Sequence, residues 1–566
     1  MRISLDEFMF DRQTGVHLHL ENSQVRFDYS DGQGVEARIH RILKETKDLG
    51  LFSRELCSCI TDWPTEYHFS PVRHNLLRHF CFKETDRVLE LGCGCGAITR
   101  QLGESGANTT AIEGSLLRAR CAKERCRDLN NVKVYCSNFQ DLLLIPEYDY
   151  VTLIGVLEYS SVFFEGEDPF KQCLEIAKSA LKKDGKLIIA IENRLGLKYF
   201  LGCSEDHTGL VYDGLQDFYQ ENTAHTFGKR EITGMLIKNG FVGVNFAYPF
   251  PDYKLPKLVL SEAAFTMSGF NPSGLISSTI SRDYSCVSKS FLAERERFIW
   301  KQLHENKIVP DLANSFLIEA SLSEIKVDER LLAKYYSANR RPQYNVVTSF
   351  EQDDYFQIKV VKKGIGSHFS AQNSCLIQRF PDQDYHEGDS LDYLVRRAIA
   401  RNDLFEFEKL FKLWLDFLFS NGILERNKSD IFLSVLKPEW IDCIAANIIV
   451  KKNELRMVDA EWIYTEKLTL YWLIFRYLRE FDLETISANI SGRVGSMQKL
   501  MWHMGIPYSN KYYDKFLKTL SEIDKTVYDI CTENIDGCYI RNISANRGFI
   551  TKIRSNLKNV IKKLMH

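Results

Sequence analysis

Asp86-Arg-Val-Leu-Glu-Leu-Gly-Cys-Gly-Cys-Gly96 is the stretch that decides the fold of the first half of the chain. Residues 87–91 are mostly apolar, as in a short buried strand, and the glycines at 92, 94 and 96 interrupt that pattern. Residues 97–102 then resume at helical spacing. A glycine turn lets the backbone approach a ligand closely, because no Cβ fills the space. The stretch therefore predicts a strand, a ligand-binding turn and a helix.

A second predicted strand, residues 109–113, ends in Glu113. A carboxylate at the carboxyl end of a strand can accept both hydroxyls of a ribose, so we expect a nucleoside cofactor at this edge of the sheet. Gly92-x-Gly94-x-x-Ala97 also fits the loose dinucleotide fingerprint, and these residues alone leave that alternative open.

The rest of the predicted sheet argues against a dinucleotide domain, which would repeat its βαβ half. Three further strands are predicted, and Asn138 and Phe139 follow the first of them, where an adenine would lie. After the helix Lys229 to Lys238 we expect the sheet to close with two strands. The predicted segments are 132–136, 149–159 and 186–192, then 242–248 and 257–261.

In this order and spacing the residues resemble the class I S-adenosylmethionine-dependent methyltransferases, with Glu90-x-Gly-x-Gly-x-Gly96 as their first motif. The flanking motifs are similar to a bacterial subfamily associated with surface-polysaccharide (O-antigen type) synthesis, in which a methyltransferase precedes a kinase-like domain. The similarity covers the first half, and the second half in patches. The motifs are Trp63 to Arg78, Glu192 to Phe200, Glu205 to Gly209 and Phe250 to Lys254.

The resemblance implies a binding site for S-adenosylmethionine. Arg73 would pair with the carboxylate of the cofactor, a contact that a planar guanidinium makes well. The alternative for Arg73 is a surface salt bridge. The implied cofactor residues are Arg73, Glu90, Gly92, Gly94, Gly96, Glu113, Asn138 and Phe139.

Methyl transfer is an in-line displacement, so positioning supplies much of its rate, and a base is needed only if the acceptor is a hydroxyl. Glu158 and Tyr159 end the fourth strand and are expected to face the acceptor. His207 is the candidate base, and a structural hydrogen-bonding role is its alternative. The expected acceptor-site residues are Glu192, Asn193, Arg194, Lys198, Asp206 and His207.

The second half contains residues at the spacing of a phosphotransferase site. Asp442 precedes Asn447 by five positions, and a short hairpin then leads to Asp459. Kinases place a catalytic base and two magnesium ligands in this way, so Asp442 would be the base and Asn447 and Asp459 would bind Mg²⁺ beside ATP. Lys362 is the candidate phosphate-binding lysine, and Glu387 to Leu391 resembles the hinge.

This second site departs from the kinase pattern. There is no glycine-rich nucleotide loop, and the stretch between Lys363 and Glu387 is too short for the usual helix that carries a lysine-pairing glutamate. A kinase-like fold used only for docking or binding is therefore the alternative to phosphotransfer.

Composition indicates a soluble globular protein of two or three domains: 566 residues, 45% hydrophobic and 26% charged. With 73 basic and 75 acidic residues, no nucleic-acid partner is expected. Fifteen cysteines without a regular framework, and no leader sequence, predict a cytoplasmic location.

The last residues, Arg547 to His566, carry apolar side chains at helical spacing and basic residues without an acid. Such a helix can lie on an anionic membrane, which would suit an enzyme of lipid-linked glycans. Packing on its own domain is the alternative.

The predicted fold is α/β, with a Rossmann-like seven-stranded methyltransferase domain followed by a kinase-like α+β domain and a helical C-terminal tail. The expected function is methyl transfer to a sugar hydroxyl or sugar phosphate of a glycan, with phosphorylation of the same acceptor as a second activity. A methyltransferase of a metabolite or protein, and a non-enzymatic assembly protein, are the alternatives. The expected boundaries are 1–60 (extension), 61–262 (methyltransferase domain), 263–290 (linker), 291–500 (kinase-like domain) and 501–566 (tail).

Overall fold

Five parallel strands form the part of the sheet that the opening motif predicts. In this computed structural model they lie in the order β3, β2, β1, β4, β5. β1 is the central strand, and after β3 the chain crosses to the other side of β1 to form β4 and β5. The doubly wound α/β arrangement is confirmed. The strands are β1 Arg87–Leu91, β2 Asn108–Glu113, β3 Val132–Cys136, β4 Tyr148–Ile154 and β5 Leu181–Glu192. The structure describes residues 2–19, 32–279, 289–366, 375–381, 383–401, 403–479, 481, 501 and 506–528.

Helices cover this part of the sheet, as its two-sided burial requires. Leu89, Ile112 and Leu187 are among the side chains with no exposed surface. The helix predicted over 229–238 is confirmed with those bounds. The helices of this half are Gln33–Glu45, Arg54–Ser58, Trp63–Phe69, Ala97–Glu104, Leu116–Arg125, Ser160–Phe163, Pro169–Ala180, Leu197–Phe200 and Lys229–Lys238.

The closing strands differ from the prediction. β6 (Gly243–Phe250) and β7 (Leu258–Ser261) form where strands were expected, but β8 (Ser315–Ser321) lies antiparallel between β5 and β6. The prediction that the sheet closes with β6 and β7 is therefore wrong. The sequence shows that 315–318 is an apolar strand, but it does not show which edge that strand joins.

The sheet then continues past residue 262. β7 pairs with β9 (Leu331–Ser337), which pairs with β10 (Val346–Gln352) and then β11 (Ile358–Gly364), all antiparallel. The expected boundary between a first domain and a linker at 262/263 thus cuts through a continuous sheet. Residues 263–279 are not an open linker, because Phe265, Phe270 and Ile276 are buried in the same core as Leu258.

The N-terminal residues also pack on this half. Ile39 and Leu43 share a buried cluster with Cys121, which lies on the helix after β2. His17–Leu18 pairs with β3 and with Met9–Phe10 at the end of the sheet.

The second half has a core of its own, in which the indole of Trp414 stacks on the ring of Tyr477 with ring centroids 4.1 Å apart. A hairpin of Ile448–Lys451 and Glu454–Met457 follows the segment that carries Asp442. Within the described residues no helix is long and apolar enough to cross a membrane, and the predicted basic helix 547–566 lies outside them. The helices after β7 are Ser273–Ser277, Lys289–Glu305, Val309–Leu312, Leu391–Ala400, Leu404–Asn421, Leu470–Arg479 and Asn510–Val527.

Candidate functional site

The turn after β1 can be built only from small residues. Gly92 and Gly96 have φ values of 75° and 85°, a region that side chains disfavour. A Cβ on Gly96 would lie 2.6 Å from the Cα of Ala122, and one on Gly92 would lie 2.7 Å from a methyl carbon of Val156. The backbone therefore passes close to its neighbours and leaves its ligand-facing side open.

Glu113 at the end of β2 is fixed by this turn. Its Oε2 accepts a hydrogen bond from the Gly94 amide at 2.8 Å, and its Oε1 accepts one from the Ser115 amide at 3.0 Å. The side chain is buried and lines the adjacent cavity, as a ribose-binding acid would have to. Each carboxylate oxygen has a second lone pair for a further donor.

A cavity of about 440 Å³ opens at the carboxyl ends of β1, β2, β3 and β4, and its volume is in the range of small-molecule sites. Of the predicted cofactor residues, Gly92, Glu113, Asn138 and Phe139 line it. Tyr159, which was expected on the acceptor side, also lines it, whereas Val162, Phe163 and Phe164 were missed because they are ordinary apolar residues in the sequence. The lining residues are Gly92, Ile112, Glu113, Gly114, Arg118, Ser137, Asn138, Phe139, Gln140, Gly155, Val156, Tyr159, Val162, Phe163 and Phe164.

Glu90 and Arg73 lie behind the turn rather than in the cavity wall. Burial raises the pKa of the Glu90 carboxyl to about 8. The Arg73 guanidinium is buried and donates to the carbonyl oxygens of Tyr253 (2.9 Å) and Lys254 (3.1 Å), and to the hydroxyl of Tyr67. The alternative of an exposed surface arginine is therefore wrong, and its contact with the cofactor stays a prediction.

On the other side of the cavity, Tyr159 connects the cavity wall to a buried ionisable cluster. Its hydroxyl lies 3.0 Å from Nδ1 of His207, whose Nε2 lies 3.5 Å from Oε2 of Glu192. Burial disfavours the imidazolium, but the hydrogen bond and charge of Glu192 outweigh it and raise the pKa of His207 to about 9. Burial, and after it the negative charge of Glu192, raise the pKa of the neighbouring Glu158 to about 8.

Two lysines balance the acids of this cluster. Lys254 Nζ lies 2.6 Å from Oε1 of Glu192, and it also pairs with Asp206, which pairs in turn with Lys198. Although burial opposes it, the charge of Lys254 lowers the pKa of Glu192 to about 2. The predicted acceptor residues Glu192, Lys198, Asp206 and His207 are therefore brought together.

The other two expected acceptor residues lie elsewhere. Asn193 donates to the carbonyl oxygens of Asp311 and Ala313, so it holds the chain that enters β8. Arg194 pairs with Asp217 and Glu231. Within the part of the chain that the structure describes, both side chains make structural contacts rather than facing the cavity.

In the second half, the structure brings the predicted phosphotransfer residues into one place. Lys362 on β11 pairs with Asp459 and lies 3.0 Å from Oε2 of Glu461. The Asn447 amide donates to the carbonyl oxygen of Asp442 at 3.1 Å. Asp459 has a φ of 58°, a left-handed backbone conformation that is uncommon for residues other than glycine.

Asp442 is almost fully buried, and burial raises the pKa of its carboxyl to about 6. Its Oδ2 accepts hydrogen bonds from the amides of Glu461 (3.0 Å) and Trp462 (2.9 Å). Glu461 was missed in the sequence, although it follows Asp459 by two positions, and it also pairs with Arg340.

The hinge-like stretch after Lys362 borders a second cavity, of about 360 Å³. Glu387 lies in its wall opposite Ile449, which follows Asn447 by two residues. The lining residues are Tyr385, His386, Glu387, Ile449, Lys451, Glu454 and Arg456.

Comparisons with known proteins agree with the donor site. A family model described as a methyltransferase domain matches residues 89–187. A malonyl-[acyl-carrier protein] O-methyltransferase of Bacillus anthracis is 31% identical over 125 residues, which are 21% of this chain and 44% of that protein. The chain thus spans less than half the length of this relative.

Two further proteins are similar to part of the chain. A ubiquinone biosynthesis O-methyltransferase of Hydrogenovibrio crunogenus is 25% identical over 197 residues, 33% of this chain and 78% of that protein. The solved phosphoethanolamine N-methyltransferase 2 of Haemonchus contortus with S-adenosyl-L-methionine is 16% identical and covers 44% of this chain and 51% of its own, with a TM-score of 0.26. Residues 89–187 of this chain thus match a methyltransferase domain, in agreement with the resemblance of the opening motif.

Proposed function

We propose that the protein transfers a methyl group from S-adenosylmethionine to an oxygen of a sugar hydroxyl or sugar phosphate in bacterial surface-glycan synthesis. The observation that carries this proposal is a pre-formed cofactor cavity whose wall, at Tyr159, leads directly into a buried polar cluster. Both curated relatives are described as O-methyltransferases. The glycan acceptor comes from the resemblance of the flanking motifs.

The residues of the cavity act mainly by positioning. Glu113 and the amides of the turn would hold the ribose, and Asn138 and Phe139 would hold the adenine. The bound cofactor supplies an electrophilic methyl group, and a fixed geometry converts the transfer into an effectively unimolecular step.

The protonation state of His207 predicts a different pH dependence for transfer to a hydroxyl and for transfer to a phosphate oxygen. As an imidazolium it donates hydrogen bonds, and it can accept a proton from a hydroxyl only after it has lost its own. Transfer to a hydroxyl should therefore speed up as pH rises toward 9, whereas transfer to a phosphate oxygen needs no base.

The test uses the full chain with labelled S-adenosylmethionine and acceptor glycans that end in a free hydroxyl or in a phosphate. Label in the glycan, with a mass increase of one methyl group, supports the proposal. Label that appears only in small metabolites or proteins, with both glycans unlabelled, would contradict it.

A second activity, ATP-dependent phosphorylation of the same acceptor, is favoured by the convergence of Lys362, Asp442, Asn447 and Asp459. Asp442 would take the hydroxyl proton, and Asn447 and Asp459 would bind Mg²⁺. Incubation with labelled ATP, Mg²⁺ and a hydroxyl-ended glycan should give a labelled glycan. If ATP raises the melting temperature but labels nothing, the second site is a binding module.

An enzyme of this kind would work in the cytoplasm on glycans carried by lipid. The basic C-terminal stretch, residues 547–566, would then meet the membrane surface, and this contact stays a prediction.

A further inference from the structure

Three side chains of metal-ligand type converge beside the cofactor cavity: Glu158, Glu192 and His207. One carboxylate oxygen of each acid and one ring nitrogen of the histidine all lie within 4.8 Å of one another. Atoms that share a divalent cation at about 2.1 Å lie within roughly twice that distance of one another, so this spacing needs only small side-chain adjustments.

Glu158 gives the independent reason to expect a ligand here. Its side chain has no exposed surface, and neither carboxylate oxygen has a hydrogen-bond partner among the described residues. Leaving a carboxyl group buried without a partner costs free energy, and such groups in folded proteins call for an explanation such as a bound ion. The group lies one residue before Tyr159, whose side chain lines the cavity.

Neighbouring side chains orient two of the three proposed ligands, His207 and Glu192. The hydroxyl of Tyr159 at Nδ1 of His207 leaves Nε2, 3.5 Å from Glu192, as the nitrogen that faces the two acids. Lys254 holds the far oxygen, Oε1, of Glu192 at 2.6 Å. Metal ligands are commonly oriented by such second partners, which fix the ring tautomer and the direction of the carboxylate.

We propose that Glu158, Glu192 and His207 bind a divalent cation of the Mg²⁺ or Mn²⁺ class at the acceptor side of the cofactor cavity. The two carboxylates are ligands that suit both Mn²⁺ and Mg²⁺, and the imidazole can complete such a ligand set. Three protein ligands leave coordination positions for oxygens of the acceptor.

The role of the cation rests on the proposed methyl transfer to oxygen. A hydroxyl bound to the cation loses its proton to water more readily, because the cation stabilises the alkoxide. The alkoxide oxygen then forms a bond to the methyl carbon as the carbon–sulfur bond breaks, and the electron pair of that bond stays on the sulfur. Such a site would replace a side-chain base, because the ring nitrogen of His207 that faces the two acids would be bound to the cation and could not take a proton.

The test measures Mn²⁺ binding to the full chain by electron paramagnetic resonance, after dialysis against a chelator. Because Asp459 is a proposed ligand of a second cation, all proteins carry Asp459→Asn. We expect one Mn²⁺ per chain in this background, and at least tenfold weaker binding when Glu158→Gln is added. The matched control is Glu175→Gln, a half-exposed acid on the outer helix 169–180, which should leave Mn²⁺ binding unchanged.

Retention of the thermal shift with S-adenosylhomocysteine shows that the Glu158→Gln protein is folded, and His207→Gln serves as the second variant. Absence of a Mn²⁺ site tighter than millimolar in the Asp459→Asn protein would overturn the proposal. It would also be overturned if adding Glu158→Gln or His207→Gln left the Mn²⁺ affinity of that protein unchanged. If Mn²⁺ binds as expected but no glycan is methylated, the proposed acceptor is wrong and the cation site stands.

Discussion

The two candidate sites of this chain differ in how much of each is already in place. The donor site is an open cavity shaped by backbone, and its key acid, Glu113, is held by two amides. In the second site, the charged groups are paired with one another: Lys362 with Asp459 and Glu461, and Glu461 with Arg340. The first site can receive its ligand as it stands, whereas a nucleotide in the second must exchange these ion pairs for its own.

This difference has an energetic consequence. Lys362 is largely buried, and burial lowers the pKa of its ammonium group although the charge and hydrogen bond of Glu461 oppose that effect. Breaking a buried ion pair by removing one partner is strongly destabilising, so the phosphates and Mg²⁺ must replace each lost contact. We therefore expect firm binding at the donor site and weaker, Mg²⁺-dependent binding at the second.

The largest expected effect is that of Gly96→Ala. The new Cβ would lie 2.6 Å from the Ala122 backbone at a positive φ, which should cost about 1–3 kcal/mol of stability from strain alone and displace the turn. Differential scanning fluorimetry should show a lower melting temperature and no shift with S-adenosylhomocysteine.

Gly234→Ala is the matched control, because this glycine lies within the helix 229–238 with no heavy atom near its Cβ position. It should raise stability by about 1 kcal/mol. Equal behaviour of the two variants would show that the turn is not shaped by its glycines.

Glu113→Ala should come next in size. Loss of hydrogen bonds to a charged group costs about 1.5–3 kcal/mol, so affinity for S-adenosylhomocysteine should fall at least tenfold in calorimetry. Glu175→Gln, an acid on the outer helix, is the control and should bind normally. An unchanged affinity for S-adenosylhomocysteine in Glu113→Ala would show that Glu113 does not bind the cofactor.

Asp459→Asn tests the second site alone. The thermal shift with ATP and Mg²⁺ should disappear while the shift with S-adenosylhomocysteine stays, because the substitution lies outside the donor cavity. Asp354→Asn, an exposed acid at the β10–β11 turn, is the control. If Asp459→Asn keeps the ATP shift, the paired charges of this site are purely structural.

A further expected effect, on stability alone, is a pH dependence from Glu90. Its pKa is about 8 in the folded chain and near 4.5 in the unfolded chain, so the folded state holds the proton more firmly. Its stabilising contribution is full below pH 4.5 and is lost as pH rises toward and through 8, with about 1.4 kcal/mol for each unit of difference. Melting curves at pH 5 and pH 9 should therefore show a smaller pH-dependent loss of stability in Glu90→Gln than in the parent, and an equal loss would contradict the raised pKa.

The donor turn could be predicted from sequence because its determinants are local. A strand, three glycines and a helix lie within one short stretch, and Glu113 ends the next strand. Residues 315–318 have the apolar pattern of a strand, but the place of β8 between β5 and β6 depends on contacts far apart in the chain.

The ion-pair partners were harder to predict for the same reason. Glu461 and Arg340 are separated by 121 positions and meet only in the folded chain. Likewise, nothing in the local sequence around Glu158 indicates that Glu192 and His207 lie beside it. Residue type and spacing identified the candidates, and tertiary contacts determined their partners.

β8 lies far along the chain from the two strands that it joins, and this position limits where the protein can be truncated. A fragment that stops at residue 262 would lack the ribbon that separates β5 from β6, leaving apolar neighbours such as Ile191 and Phe246 facing a gap. Such a truncated product should be insoluble rather than a minimal enzyme. During synthesis, the sheet that carries the donor site can therefore be completed only after the ribosome has translated residues 315–321, in the second half of the message.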